Sequence, residues 1–448
     1  MTAIAGIQRP GSQEIVHAML NQMSHRGNFW RHIVKNNNIY LGASGSKTQN
    51  NSSLKIIKEN VAQEMINSSH FARACAADGN LELTRDSLGV SPLYYGRASD
   101  GSVCFASEVK GLLVVTKDIH ELPPGHVLKG EKVSPVPVTA KRFDWSGVIS
   151  DYSKTLRQEL EKAILNRIGD GNVGSWLSGG IDSTAIAAIV RRYVRDLHSF
   201  VAGFPGSPDI HYAEIAARHL GTIHHKIEVT PEEIIKTLPQ VIYHLESFDA
   251  LLIRSSILNF KVAQMASDYV PAVFSGEGAD ELFGGYEYLR TIPEDNLQDE
   301  LNNILGSLHN TALQRVDRSA SAYGIVAYVS YLDQQVVDLA QQIPAKFKIR
   351  DGVEKWVLRK AMEDLLPNEL LMRKKAKFWQ GAGVQDYLAI HAESKISDRE
   401  FLDERVLPDG QRLNSKEELM YYRIFKDLFG EFQDLSWMGR TRKTRFDR

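Results

Sequence analysis

Ser178-Gly179-Gly180-Ile181-Asp182-Ser183 follows a short apolar run, Val173 to Leu177, and opens a segment rich in Ala and Ile. The pattern predicts a strand, a tight turn and a helix. Paired glycines let the backbone turn sharply and bring its N–H groups close to an anion, and a helix N-terminus adds partial positive charge. The loop therefore reads as a cradle for pyrophosphate, with Ser178, Gly179, Gly180 and Ser183 as its donors. It is shorter than the G-x-x-x-x-G-K-[ST] loop and has no lysine, so it is not a cradle for γ-phosphate transfer.

A chain of 448 residues is too long for a single core and predicts at least two domains. Hydrophobic residues make up 43% and charged residues 24%, the balance of an ordinary globular protein. A formal net charge of −2 argues against nucleic acid as a partner, because phosphate backbones select basic surfaces. Cys75 and Cys104 are the only cysteines, too few for a disulfide framework. Neither a membrane-length apolar run nor a leader pattern at Met1-Thr2-Ala3-Ile4 is present, so a cytoplasmic location without membrane contact is expected.

Residues 1 to about 130 read as strands and turns with one helix, which Ser12 caps and whose apolar face is Ile15, Val16, Met19, Leu20 and Met23. Lys47 to Ser53 reads as a surface loop. The stiff run Ser134-Pro135-Val136-Pro137-Val138 marks a boundary between domains 1–135 and 136–448. Beyond it, apolar runs at Val173–Leu177, Leu197–Val201 and Ala272–Phe274 alternate with helical patterns. That alternation predicts an α/β doubly wound parallel sheet with its site at the strand C-terminal ends. From about residue 296 the pattern is almost entirely helical. The basic residues Arg440, Arg442, Lys443, Arg445 and Arg448 read as a solvated tail, with folding over a nucleotide-filled site or contact with an acidic partner as the alternatives.

A second glycine-rich cluster, Ser275-Gly276-Glu277-Gly278-Ala279-Asp280-Glu281-Leu282-Phe283-Gly284-Gly285-Tyr286, follows the apolar run Val270 to Phe274. Glu277, Asp280 and Glu281 would repel one another unless a cation neutralised them. Magnesium on ATP phosphates, held by one or two carboxylates, fits that need.

Together the two clusters resemble those of class B asparagine synthetases, the glutamine-dependent amidotransferase family that includes the β-lactam synthetases. Further matches run in order through Leu197-His198-Ser199-Phe200, His219-Leu220-Gly221-Thr222, Tyr331-Leu332-Asp333, Leu358-Arg359-Lys360-Ala361 and Arg373-Lys374-Lys375-Ala376-Lys377-Phe378. The resemblance implies an Ntn-hydrolase-like α+β sandwich followed by an ATP-pyrophosphatase synthetase domain. It implies cleavage of ATP between its α- and β-phosphates, an acyl-adenylate, and transfer of the acyl group to ammonia or an amine. It places Asp182 and Asp280 on magnesium, Gly276 beside the nucleotide, Glu277 at the incoming amine's proton, and Lys375 on the reacting phosphate. Lys374 and Lys377 are adjacent alternatives to Lys375. A homodimer is also compatible with it.

Two regions depart from the family pattern. Thr2 stands where a family glutaminase has its N-terminal cysteine, and neither the N-G-E-I-Y-N segment nor the later G-S-D motif has a counterpart. Ser24-His25-Arg26-Gly27, Arg85-Asp86-Ser87-Leu88-Gly89, Phe105-Ala106-Ser107-Glu108-Val109-Lys110 and Leu122-Pro123-Pro124-Gly125 nevertheless persist. The expectation is a degenerate glutaminase domain without activity, against the alternative of an N-terminal-threonine amidohydrolase. Near the acceptor, the family's Thr-Thr-Ile-Arg reads Leu251-Leu252-Ile253-Arg254, and its Glu and Arg before Pro-Phe-Leu-Asp read Val326 and Tyr328. Those losses argue against aspartate as the acid. Ring closure of the β-lactam-synthetase type is the nearest alternative, and the retained Glu277 separates the two.

Overall fold

The computed structural model describes residues 2–46, 61–67, 69–77, 79–145, 147–373 and 384–441. Lys47 to Ser53, Lys374, Lys375, Lys377 and the tail from Arg442 lie outside the described residues.

The N-terminal strands form two antiparallel sheets. One runs Trp30–Asn36, Ile39–Gly45, Thr2–Gln8, Val103–Ala106, Tyr94–Arg97, Ile119–Glu121, and the other Lys132–Pro135, His126–Lys129, Asn80–Arg85, His70–Ala77, Val61–Asn67. Alternation along each strand sends one set of side chains inward, and Ile4, Leu41, Ala74, Leu83, Phe105 and Leu128 join across the gap as a dry core. The helix Gln13–Gln22 buries Val16, Met19 and Leu20, as its apolar face predicts. Ser12 does not cap it through its side chain, contrary to expectation. Its hydroxyl is taken instead by Arg9 Nε at 3.1 Å.

Beyond Pro135 a parallel sheet runs Ile223–Glu228, His198–Gly203, Gly174–Trp176, Ala272–Phe274, Val326–Tyr328. The chain starts at the central strand, winds outward to one edge, then returns to the other side of its starting point. The strands at Gly174 and Ala272 therefore flank the switch point, where the loops at their C-terminal ends diverge and leave a crevice. The expected strands are present, the second shifted to His198–Gly203. Ile223–Glu228 escaped the sequence reading because an edge strand with His224, His225 and Lys226 carries no apolar run. Val326–Tyr328 interrupts a C-terminal half that is, among the described residues, almost entirely helical, as expected. Those three residues complete the sheet beside Ala272–Phe274 before the helices resume.

Candidate active site

Both glycine-rich loops emerge at the switch point. Gly180 is extended and leads into the helix Ile181–Arg191. Gly179 has φ +74, and a side chain there would strike the backbone of Tyr212, so only glycine fits the turn. Ser183 folds back over the loop, its Oγ accepting from the Ser178 N–H at 3.2 Å and lying 3.1 Å from Ser178 Oγ. The second loop presses on the first at Gly276, where a Cβ would come within 2.7 Å of the Ser183 nitrogen. That close approach brings the carboxylates of the two loops together.

Lys355 completes the arrangement. Its Nζ lies 2.5 Å from Asp182 Oδ2 and 2.6 Å from Asp280 Oδ1. Burial disfavours the ammonium, but the two carboxylates outweigh it and hold Lys355 above the usual lysine range. The carboxylates converge on one buried cation with an all-oxygen donor set, the chemistry a hard divalent ion takes. Glu277 is engaged by Arg315, whose Nη2 donates to Oε1 at 2.6 Å. Behind it, burial and the neighbouring Asp280 push the Glu281 carboxyl up to about 7, and Tyr286 donates its hydroxyl to Glu281 Oε1 at 2.5 Å. Arg373 ties down the cradle from outside. It donates to the Ser178 carbonyl at 2.7 Å and to Asp209 Oδ1 at 2.5 Å, with its guanidinium over the Tyr212 ring.

One cavity of about 670 Å³ gathers Ser178, Gly180, Asp182, Ser183, Gly276, Glu277 and Asp280. Gly179 is spent on the turn against Tyr212. Lys375 falls outside the described residues, so the choice among the three lysines is not addressed by the structure. Lys355, Arg315 and Arg373 line the same cavity and were not singled out for a role from the sequence. No local spacing links position 355 to 182, and only the folded chain brings them together. Away from the phosphate loops the wall turns apolar, with Leu251, Leu252, Ile304, Leu308 and Ala312. Val326 and Tyr328 are not among the described lining residues. Tyr328 instead packs its ring 5.2 Å from Phe274, which corrects their expected place at the acceptor. Arg440 is likewise no solvated residue: its guanidinium pairs with Glu418, and the next residue, Thr441, reaches the cavity wall.

A parallel sheet with two glycine-rich loops meeting at its switch point is an α/β architecture that offers a ligand crevice there. The chain belongs to the asparagine synthase family, whose family model matches residues 155–302 and 293–446. A glutamine amidotransferase domain model matches residues 70–129. The chain is 35% identical to the glutamine-hydrolysing asparagine synthetase 2 of Lotus japonicus, over 79% of this chain and 64% of that protein. It is also 35% identical to asparagine synthetase B of Escherichia coli K12, over 77% of this chain and 67% of that protein. It thus spans about two thirds of the length of these relatives. Among solved structures, an NMN synthetase from Francisella tularensis covers 68% of this chain and 100% of its own, at 14% identity and a TM-score of 0.29, a likeness too slight to bear on function.

Proposed function

We propose that the protein is an ATP-dependent, AMP-forming carboxylate–amine ligase of two units, 1–135 and 136–448. It adenylates a small carboxylic acid, releases pyrophosphate, and passes the acyl group to ammonia or an amine. The observation that carries this reading is the convergence of Asp182 and Asp280, from two separate glycine-rich loops, on one buried cation at the switch point. In it, Ser178, Gly179, Gly180, Ser183 and Gly276 form the phosphate cradle, and Asp182 and Asp280 hold magnesium. Magnesium supplies neutralising charge to the phosphates. Lys355 adds fixed positive charge beside them, and Lys375 is assigned to the reacting phosphate. Glu277, oriented by Arg315, takes the proton of the attacking amine.

The N-terminal unit, in this reading, does not hydrolyse glutamine. Thr2 is 1% exposed within its strand, paired with Gly45, and Trp30 lies against Gly45 from the neighbouring strand. A side chain so enclosed is unsuited to attack an amide, which also weighs against a threonine amidohydrolase. Leu251 and Leu252 on the cavity wall favour an acid with a more apolar body than aspartate. The two unpaired cysteines suit a cytoplasmic setting.

The deciding experiment is a pyrophosphate-release screen over carboxylic acids with ATP and magnesium, each with and without ammonium. AMP and pyrophosphate are the expected products. Formation of ADP and phosphate would overturn the reading, and efficient asparagine formation from aspartate would overturn the assignment of the acid.

A further inference from the structure

The short turn Ser330–Leu332 joins two parts of the molecule that chain order keeps apart. On one side it meets both loops of the site. Tyr331, fully buried, donates its hydroxyl to the carbonyl of Asp182 at 3.1 Å. Leu332 lies against the second loop, where a Cβ on Gly278 would come within 2.6 Å of it. On the other side the turn meets the N-terminal half. His70, 1% exposed, approaches the Leu332 carbonyl with Nε2 at 2.8 Å, and since a carbonyl only accepts, the imidazole donates. Ser87 Oγ donates to Gln334 Oε1 at 2.8 Å.

The surface that presents His70 and Ser87 is built by the retained Arg85-Asp86-Ser87-Leu88-Gly89 motif. The Asp86 carboxylate accepts from the N–H groups of Phe71, Leu88, Val90 and Ser91 at 3.3, 3.1, 3.0 and 3.0 Å. One carboxylate thereby locks the strand that bears His70 to the loop that bears Ser87. Arg85 ties the same loop through the carbonyls of Ser91 and Gly89.

We propose that the N-terminal half braces the nucleotide site, with His70, Ser87 and Tyr331 as positioning residues that hold the Ser330–Gln334 segment against Asp182 and Gly278. The cradle is then fixed before the nucleotide arrives, and a loop already in place loses less freedom on binding. The functional consequence rests on the ATP reading, whereas the mechanical coupling does not.

The test uses the full-length protein and titration calorimetry with magnesium and a non-hydrolysable ATP analogue. His70→Ala and Tyr331→Phe should each weaken binding about tenfold, the worth of one buried hydrogen bond. His70→Gln, whose amide can still donate to Leu332, should restore most of the affinity, which a purely packing role would not. The double variant should lose less than the sum of the singles. Affinity within about threefold of the unaltered chain in both single variants, or full additivity between them, would overturn the brace. Should His70→Ala fail to fold, Ser87→Ala with Tyr331→Phe carries the same comparison. If the unaltered protein binds no ATP analogue, the functional reading fails, and hydrogen exchange decides the brace separately. Faster exchange of the Asp182–Thr184 amides in Tyr331→Phe supports it, and unchanged exchange refutes it.

Discussion

Two clusters of buried charge show how the same residue types serve different ends. Between the N-terminal sheets and the helices that follow, Arg26 pairs with Glu108 at 2.8 Å and Asp317 at 2.9 Å, Arg318 with Glu108 at 2.6 Å and Glu246 at 3.2 Å, and Lys110 with Glu246 at 3.0 Å. Cations and anions match one for one, and their side chains are almost wholly enclosed. At the switch point the acids Asp182, Asp280, Glu277 and Glu281 outnumber Lys355 and Arg315, and they face a cavity. A closed, balanced network has nothing left to bind and serves cohesion. An open cluster with surplus negative charge is suited to take up a cation from outside. Of the family fragments that persist in the N-terminal half, two contribute Arg26, Glu108 and Lys110 to the closed kind.

The contrast is broken most directly at the open cluster. Asp182→Asn and Asp280→Asn should each lower pyrophosphate release by about a thousandfold while the protein stays folded, because in the proposed reading each removes charge assigned to magnesium. Near-normal turnover in either variant would take that residue out of the site.

At the closed cluster the loss should appear in stability instead. Arg26→Met leaves Glu108 and Asp317 with less compensation and should cost about 3–5 kcal/mol in urea unfolding, with ATP affinity close to normal in the folded protein. A variant of unchanged stability but lost ATP affinity would erase the distinction drawn above.

Lys355→Met should sit between these poles. It leaves two facing carboxylates without their shared ammonium, and pyrophosphate release should fall about a hundredfold, or about 2.7 kcal/mol. Added magnesium should raise its melting temperature more than that of the unaltered chain, and an equal rise would show that Lys355 is not part of the metal site.

A pH titration sharpens the closed side. His244 packs its ring 4.6 Å from His25, and burial, aided by Lys110, pushes its pKa down to about 2. His244 therefore binds fewer protons in the folded than in the unfolded chain between about 2 and 6.5, and its own contribution to stability is lost as pH drops below 6.5. By pH 5.5 His244 accounts for about 1.4 kcal/mol of that loss. His244→Gln should show a correspondingly shallower decline in urea unfolding between pH 7.5 and 5.5, and an identical decline would refute the assignment.

The smallest effect is expected at position 2. Thr2→Cys should release no glutamate from glutamine, because a thiol at a position 1% exposed cannot reach an amide. Detectable glutaminase activity would return the N-terminal half to the open class.

Loops whose chemistry is local were legible from residue types alone. Ser178–Ser183 and Ser275–Tyr286 each carry their glycines, hydroxyls and carboxylates within a few positions, and the backbone turns those residues permit follow from sterics. Apolar strands such as Ala272–Phe274 were equally legible, because burial on both faces demands continuous hydrophobicity. The polar edge strand Ile223–Glu228 and the brief Val326–Tyr328 were not, since their state is set by neighbours rather than by their own pattern.

By itself, then, the sequence determined the paired-glycine turn, the acidic loop and the parallel sheet through short-range pattern, while the sandwich ahead of them followed only from the family resemblance. Tertiary structure alone decided that Lys355 stands between Asp182 and Asp280, that Arg315 holds Glu277, that Tyr328 packs away from the cavity, and that His70 reaches the turn beside Asp182. The physical reason is distance along the chain. Ion pairs and hydrogen bonds act over a few ångströms in space, and which residues come that close is settled by how the layers pack.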